Sequence, residues 1–297
     1  MTCLPSWLRL KSEGKAGALA NNAPAFSYRL LTMSAALLLE AQNLIKRFGG
    51  ITAVDGFSLF LHGGELYGLI GPNGAGKTTV FNLLTGLIKP NGGRIWINGK
   101  ELTGKPAWYF SREGIVRTFQ NIRLLWDSTV EENLLCSSYI HFKHGFFSGV
   151  FGLASFRSAR RKLQQSVDYV LEKCDLHDYR CARAMDLPYG VQRRVEIARG
   201  LLMHPQLFLL DEPTAGLNPA EVGEILDLLK NVWRENRLTM IVIEHNMRVI
   251  MSLAQHILVM SEGKIIAEGA PEEVQTNPDV ISVYLGERYA QRLRSRN

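Results

Sequence analysis

Cysteine is scarce, with 4 in 297 residues. Cys3, Cys136, Cys174 and Cys181 form no C-x-x-C pair and no zinc-like spacing, which excludes a disulfide scaffold and a cysteine-built zinc site. All four are expected to be free cytosolic thiols. There is also no run of about eighteen apolar residues, so no segment reads as a membrane-spanning helix. Arg29–Ala41 only imitates a signal peptide, because Leu37–Ile45 is better used as a first strand. Charge of one sign is missing from the middle of the chain. The formal +6 resides in the two ends, where Arg9, Lys11, Lys15 and Arg29 face only Glu13, and Arg288, Arg292, Arg294 and Arg296 face only Glu287. Residues 34–286 are therefore neutral, which argues against a nucleic-acid partner. Both ends read as solvated tails.

What is present is an ordinary globular composition, 46% hydrophobic and 21% charged, enough for one or two domains. Residues 1–33 carry no helical or strand period and are expected to be disordered. Met33-Ser34 offers an alternative start, which N-terminal sequencing of native protein would check. From Leu37 the pattern is β-rich: Leu37–Ile45 and Phe57–Leu61, with turns at Gly49-Gly50 and Gly63-Gly64. Arg94–Gly99 is a further strand and turn. Between about Trp126 and Leu201 the spacing turns helical, with Val130–Leu135 and Ala159–Leu171 flanking an aromatic loop, Phe142–Phe156. Leu207–Leu210 and Met240–Ile243 are apolar strands, each followed by a helix-like stretch, Ala220–Trp233 and Met247–Leu253. Ile257–Met260 and Lys264–Ala267 read as a final hairpin.

The most specific stretch is Gly71-Pro72-Asn73-Gly74-Ala75-Gly76-Lys77-Thr78. It fits G-x-x-x-x-G-K-[ST] between an apolar strand, Leu66–Ile70, and a helix starting near Thr79. Such a loop turns consecutive backbone N–H groups and the positive end of a helix toward phosphate oxygens. Gly74 and Gly76 are expected to turn where a Cβ would clash. Lys77 is expected to reach the β- and γ-phosphates, and the Thr78 hydroxyl to hold Mg²⁺. There is one such loop and no internal repeat.

Two carboxylates, Asp211 and Glu212, end the buried strand Leu207–Leu210, at the strand end where open α/β sheets bind ligands. Asp211 is placed to meet the Mg²⁺ on Thr78, and Glu212 to orient the water that attacks the γ-phosphate. His245 repeats that geometry one strand over, near the γ-phosphate. Gln120 follows Arg117-Thr118-Phe119, with an amide that could touch either Mg²⁺ or the water.

Taken together, these motifs resemble the ATP-binding cassette (ABC) family over about residues 37–286. Gly71–Thr78 with Thr79 resembles its Walker A loop, Leu207–Glu212 its Walker B strand and catalytic glutamate, Gln120 its Q-loop, and His245 its switch histidine. Phe48 stands where the family stacks an aromatic ring on adenine. Leu187-Pro188-Tyr189-Gly190-Val191-Gln192 stands at the signature L-S-G-G-Q. It departs from that pattern: Pro188 has neither hydroxyl nor N–H, leaving the Gly190 N–H and the following helix as the anion site. Asn218 stands where an aspartate is usual. The resemblance implies an α/β P-loop NTPase core with an N-terminal antiparallel β subdomain and an inserted α-helical subdomain, about 121–200, before a basic tail, 287–297. It implies ATP and Mg²⁺ as cofactors, and a second cassette, homo- or heteromeric, that completes each ATP site. It also implies two membrane permease subunits, a periplasmic or extracellular substrate-binding protein, and a peripheral place on the cytoplasmic face of the membrane. Arg117–Asn121 with Arg123-Leu124, the form L-x-Y-G-x-Q-R-R-x-E-I-A-R, and Asn277–Glu287 resemble the branched-chain amino-acid importer subfamily. Urea or amide importers and lipopolysaccharide exporters are its nearest alternatives.

Overall fold

The computed structural model describes residues 37–138 and 154–285. The N-terminal extension, most of the aromatic loop and the basic tail lie outside the described residues. The described residues form two compact units, one within Arg123–Met203 and the other within Thr32–Ile122 and His204–Asn297.

In the larger unit, β1 (Leu37–Phe48) pairs antiparallel with β2 (Ile51–His62) and with β4 (Gly92–Ile97), which pairs with β5 (Lys100–Glu101). On β2, Phe57, Leu59 and Leu61 are buried while the residues between them are not, the alternation of a half-buried antiparallel strand. The second sheet has the order β10-β9-β3-β8-β7-β6, with β3 Leu66–Ile70, β6 Ile115–Arg117, β7 Leu207–Asp211, β8 Thr239–Ile243, β9 His256–Ser261 and β10 Lys264–Gly269. β6, β7, β8, β3 and β9 run parallel, and β10 closes the edge as an antiparallel hairpin with β9. Every residue of β3, β7 and β8 is buried, as parallel strands covered on both faces require. Helix α1 (Lys77–Leu84) packs Val80, Phe81 and Leu84 into a core shared with Leu69, Leu209, Ile243 and Leu258. The parallel run fixes the site, because β3, β6, β7 and β8 all deliver their carboxyl ends to one edge.

Some elements carry little sequence signal. β6 has three residues and α2 (Ala107–Arg112) six, too short to show a period. In the smaller unit, α3 (Val130–Ser138) and α4 (Ala154–Lys173) bury Val130, Leu134, Val167, Val170 and Leu171, and α5 (Tyr189–Leu202) follows the signature segment. Arg180 ties α3 to α4 by ion pairs to Glu131 (2.5 Å) and Asp168 (2.8 Å). The expectation of four free thiols is corrected here. Cys136 and Cys174 are free, but Cys181 is disulfide-bonded. Back in the larger unit, α6 (Pro219–Asn236) and α7 (Met247–Leu253) follow β7 and β8, and α8 (Pro271–Thr276) and α9 (Pro278–Leu285) follow β10. No helix among the described residues is long and apolar enough to cross a membrane.

Candidate functional site

The loop after β3 is shaped by its neighbours. A Cβ on Gly71 (φ 151°) would lie 2.1 Å from the Met260 carbonyl oxygen, and one on Gly76 (φ 100°) 2.3 Å from that of Ala53. Both positions exclude every other residue by space as well as by backbone conformation. Gly74 corrects the expectation of a clash there: it has φ 81° but no atom within 4 Å of a Cβ, so only its backbone angle calls for glycine. Gly76 caps α1 without a side-chain hydrogen bond, so the first-turn N–H groups of Lys77, Thr78 and Thr79 face outward for an anion. Pro72, Asn73 and Ala75 hold the loop between, with Ala75 N–H donating to the Pro72 carbonyl at 3.2 Å.

Lys77 is buried, and its Nζ donates to the carbonyls of Gly71 (2.7 Å) and Pro72 (2.9 Å). Burial lowers the ammonium pKa, and the nearby carboxylates of Glu212 and Asp211 oppose that shift. A phosphate therefore has to draw this cation away from two neutral acceptors, a favourable exchange for an anion.

At the ends of β7 and β8 the expected residues meet. Gln120 Nε2 donates to Glu212 Oε2 at 3.0 Å, and His245 Nε2 hydrogen-bonds Glu212 Oε1. Glu212 itself sits at φ 49°, a left-handed conformation that costs a non-glycine residue about 1 kcal/mol or more. Its N–H donates to the Ile243 carbonyl at 3.0 Å, which ties the bent strand end to β8. In this conformation the carboxylate meets Gln120 and His245.

Asp211, expected to meet Mg²⁺, is also engaged by an arginine. Its Oδ2 accepts from Arg117 Nη2 at 2.6 Å, with both side chains 5% exposed. Arg117 Nη1 also donates to Asn82 Oδ1 at 2.6 Å, and its guanidinium lies over the rings of Phe81 and Phe119. Arg117 was quoted in the sequence only as part of a motif; an arginine closing a short buried strand was the available signal. Glu244 was also missed. Its buried Oε1 accepts from both the Thr214 N–H (3.0 Å) and hydroxyl (2.7 Å), joining the turn after β7 to the residue before His245. Burial raises its pKa, opposed by the Thr214 hydrogen bonds.

Phe48 is half exposed at the end of β1, with Lys46 Nζ 5.1 Å from its ring centre. An exposed ring of this kind can stack on a base. The signature residues lie in the smaller unit. Pro188 caps α5 with no side-chain hydrogen bond, Leu187 and Gly190 are buried, and Tyr189 is exposed with its hydroxyl accepting from Arg193 at 3.0 Å. Asn218 has a local role: it caps α6, accepting from Ala220 N–H (3.0 Å) and Glu221 N–H (3.1 Å) in a capping box.

No group of three or more His, Cys, Asp or Glu among the described residues could hold a metal. The donors that are present suit Mg²⁺, which takes one or two protein oxygens and fills its shell with water and phosphate. Those donors are the Thr78 hydroxyl, exposed at the start of α1, and the Asp211 carboxylate. The Gln120 side-chain oxygen is a third hard donor of the same kind.

A sequence model of ABC transporters matches residues 54–215, and one described as branched-chain amino acid ATP-binding cassette transporter matches 264–290. The high-affinity branched-chain amino acid transport ATP-binding protein BraF of Pseudomonas aeruginosa is 43% identical over 84% of this chain and 98% of its own length. LivG of Escherichia coli K12, described in the same words, is 44% identical with the same coverage. A crystal structure of the ADP conformation of an ATP-binding cassette of an ABC transporter matches with a TM-score of 0.72 and 31% identity, covering 84% of this chain and 99% of that one. With loop, sheet order and near full-length identity in agreement, this chain belongs to the ABC transporter family as one of its ATP-binding cassettes.

Proposed function

We propose that the chain binds and hydrolyses ATP as the motor subunit of an importer of branched-chain amino acids. The observation that carries the ATPase reading is the gathering of Gln120 and His245 on the strained carboxylate of Glu212, with Lys77 beside it. The substrate class rests on the likeness to BraF and LivG and on the matched C-terminal region.

In this reading Phe48 stacks on adenine, and the N–H groups from Gly74 to Thr79 receive the phosphates. Lys77 leaves the Gly71 and Pro72 carbonyls to neutralise the β- and γ-phosphates. Glu212 orients the attacking water and takes up its proton. His245 and Gln120 fix the two carboxylate oxygens of Glu212 until the single N–H of His245 is drawn toward the γ-phosphate. Thr78, Asp211 and Gln120 would hold Mg²⁺, which when bound offsets charge on the phosphate oxygens. Arg117 orients the Asp211 carboxylate for that task.

The site is completed in trans. Leu187–Gly190 of a second cassette, identical or homologous, supplies the Gly190 N–H and the positive end of α5. Closure of the pair on ATP drives two permease subunits, which receive the amino acid from a periplasmic or extracellular binding protein. The chain then sits peripherally on the cytoplasmic face of the membrane and has no nucleic-acid partner. Cells deleted for this chain should lose high-affinity leucine uptake and regain it with the wild-type copy. Unchanged uptake on deletion would overturn the substrate assignment.

A further inference from the structure

Glu244 is buried where an apolar residue would suffice. β8 buries Thr239, Met240, Ile241, Val242 and Ile243 in turn, and the next residue, Glu244, is 3% exposed. An apolar side chain there would continue the run, whereas a buried carboxyl is costly unless hydrogen bonds replace its water. Those bonds come from one residue: Glu244 Oε1 accepts the Thr214 hydroxyl at 2.7 Å and the Thr214 N–H at 3.0 Å. Thr214 is itself buried, in the turn that follows β7.

The two segments that meet here carry Glu212 and His245, and residues 212–215 and 243–245 are laced together. The Glu212 N–H donates to the Ile243 carbonyl at 3.0 Å, Thr214 donates twice to Glu244, and His245 Nε2 bonds Glu212 Oε1. Within the turn, the Ala215 N–H donates back to the Glu212 carbonyl at 3.2 Å. Glu212 opens this turn at φ 49°. A non-glycine residue keeps a left-handed backbone only where its surroundings over-determine it. The main-chain bond to Ile243 fixes Glu212 from one side, and the clasp between Thr214 and Glu244, two residues on, fixes the turn from the other.

We infer that Glu244 and Thr214 are positioning residues for hydrolysis: their clasp ties the turn after β7 to the strand end before His245, and so fixes where the Glu212 carboxylate stands. This inference rests on the reading that Glu212 orients the attacking water. The clasp acts on Glu212 and not on the phosphate loop, so its loss falls on turnover while nucleotide binding is kept.

The test uses the full chain, with phosphate release from Mg²⁺ and ATP and the affinity for a fluorescent ATP analogue measured for each variant. Thr214→Val keeps the side chain's volume and the N–H and removes the hydroxyl, whereas Thr214→Ser keeps the hydroxyl. One hydrogen bond corresponds to about two- to tenfold when both groups are neutral, and to more when the acceptor is ionised. Thr214→Val should lower kcat about three- to tenfold, with KM and analogue affinity within about twofold of wild type. Thr214→Ser should stay within about twofold of wild type in all three. Thr214→Ala removes the same hydroxyl and gives the same reading if valine disturbs the fold. In a Glu212→Gln background, Thr214→Val should lower the residual turnover by less than about twofold, because the carboxylate that the clasp positions is already gone. A merely structural role would give the same fold loss in both backgrounds. Unchanged kcat in the variants lacking the hydroxyl, an equal loss in Thr214→Ser, a loss that appears in affinity, or the same fold loss in the Glu212→Gln background overturns the inference and leaves the ATPase reading intact. Absence of phosphate release by the wild type overturns both.

Discussion

Arg117→Met is the sharpest test of how the strand ends are held. Arg117 and Asp211 are each 5% exposed and meet at 2.6 Å. Methionine matches the length of the arginine stem but leaves the carboxylate buried without its cation. Breaking a buried pair from one side costs about 3–5 kcal/mol, because the remaining charge is uncompensated. Loss of the 2.6 Å bond to Asn82 acts in the same direction, by about 1 kcal/mol, and is not fully additive. A loss of about 4 kcal/mol corresponds to a fall in unfolding midpoint of roughly 8–16 °C for a chain of this size. Thermal unfolding followed by far-ultraviolet circular dichroism measures it. The double variant Arg117→Met/Asp211→Asn removes both charges and should regain about 2–3 kcal/mol relative to the sum of the single losses. A single-variant loss below about 1 kcal/mol, or strict additivity in the double, would refute the idea that Arg117 holds Asp211 through a desolvated ion pair.

Two further perturbations follow from the same geometry. Burial raises the Glu244 pKa above its ordinary 4.5, so the folded state binds a proton that the unfolded state has released. The stability this group contributes is therefore greatest below pH 4.5 and falls as pH rises through the window above it. Glu244→Gln keeps an acceptor for Thr214 and removes the charge, so it should flatten that fall in a pH series of unfolding midpoints; an unchanged slope would count against it. At Pro188, serine would restore a side-chain cap to α5, worth about 1 kcal/mol. It would also restore a hydroxyl toward the partner's γ-phosphate, worth about ten- to a hundredfold in ATP-driven dimerisation. Pro188→Ser with wild-type dimerisation by light scattering would show that the serine position is unimportant here.

The parts of the fold written in local pattern were legible from sequence. Phe57–Leu61 alternates, Leu207–Leu210 and Met240–Ile243 are unbroken apolar runs, and the glycine-lysine loop carries its own flanks. What was not legible depends on contacts between distant residues. Arg117 and Asp211 are 94 positions apart, and no spacing announces that they pair. The tightest crowding at Gly71 comes from Met260, outside the loop, while Gly74, expected to be tight, has open space around it. The grouping of Gln120 and His245 on one carboxylate depends on strand order, which places β7 between β8 and β6. Asn218 read as a departure from a motif, while the structure gives it a helix to cap.

The central claim is that Glu212 is the group on which hydrolysis turns. Steady-state phosphate release from Mg²⁺ and ATP, measured for wild type and Glu212→Gln beside nucleotide affinity for each, tests it most directly. The amide keeps the side chain's shape and one acceptor oxygen, replaces the other oxygen by an NH₂ donor, and cannot take up a proton from water. The prediction is hydrolysis by the wild type, loss of at least about a hundredfold in the variant, and ATP affinity within a few-fold of wild type. Turnover retained by Glu212→Gln would contradict the account.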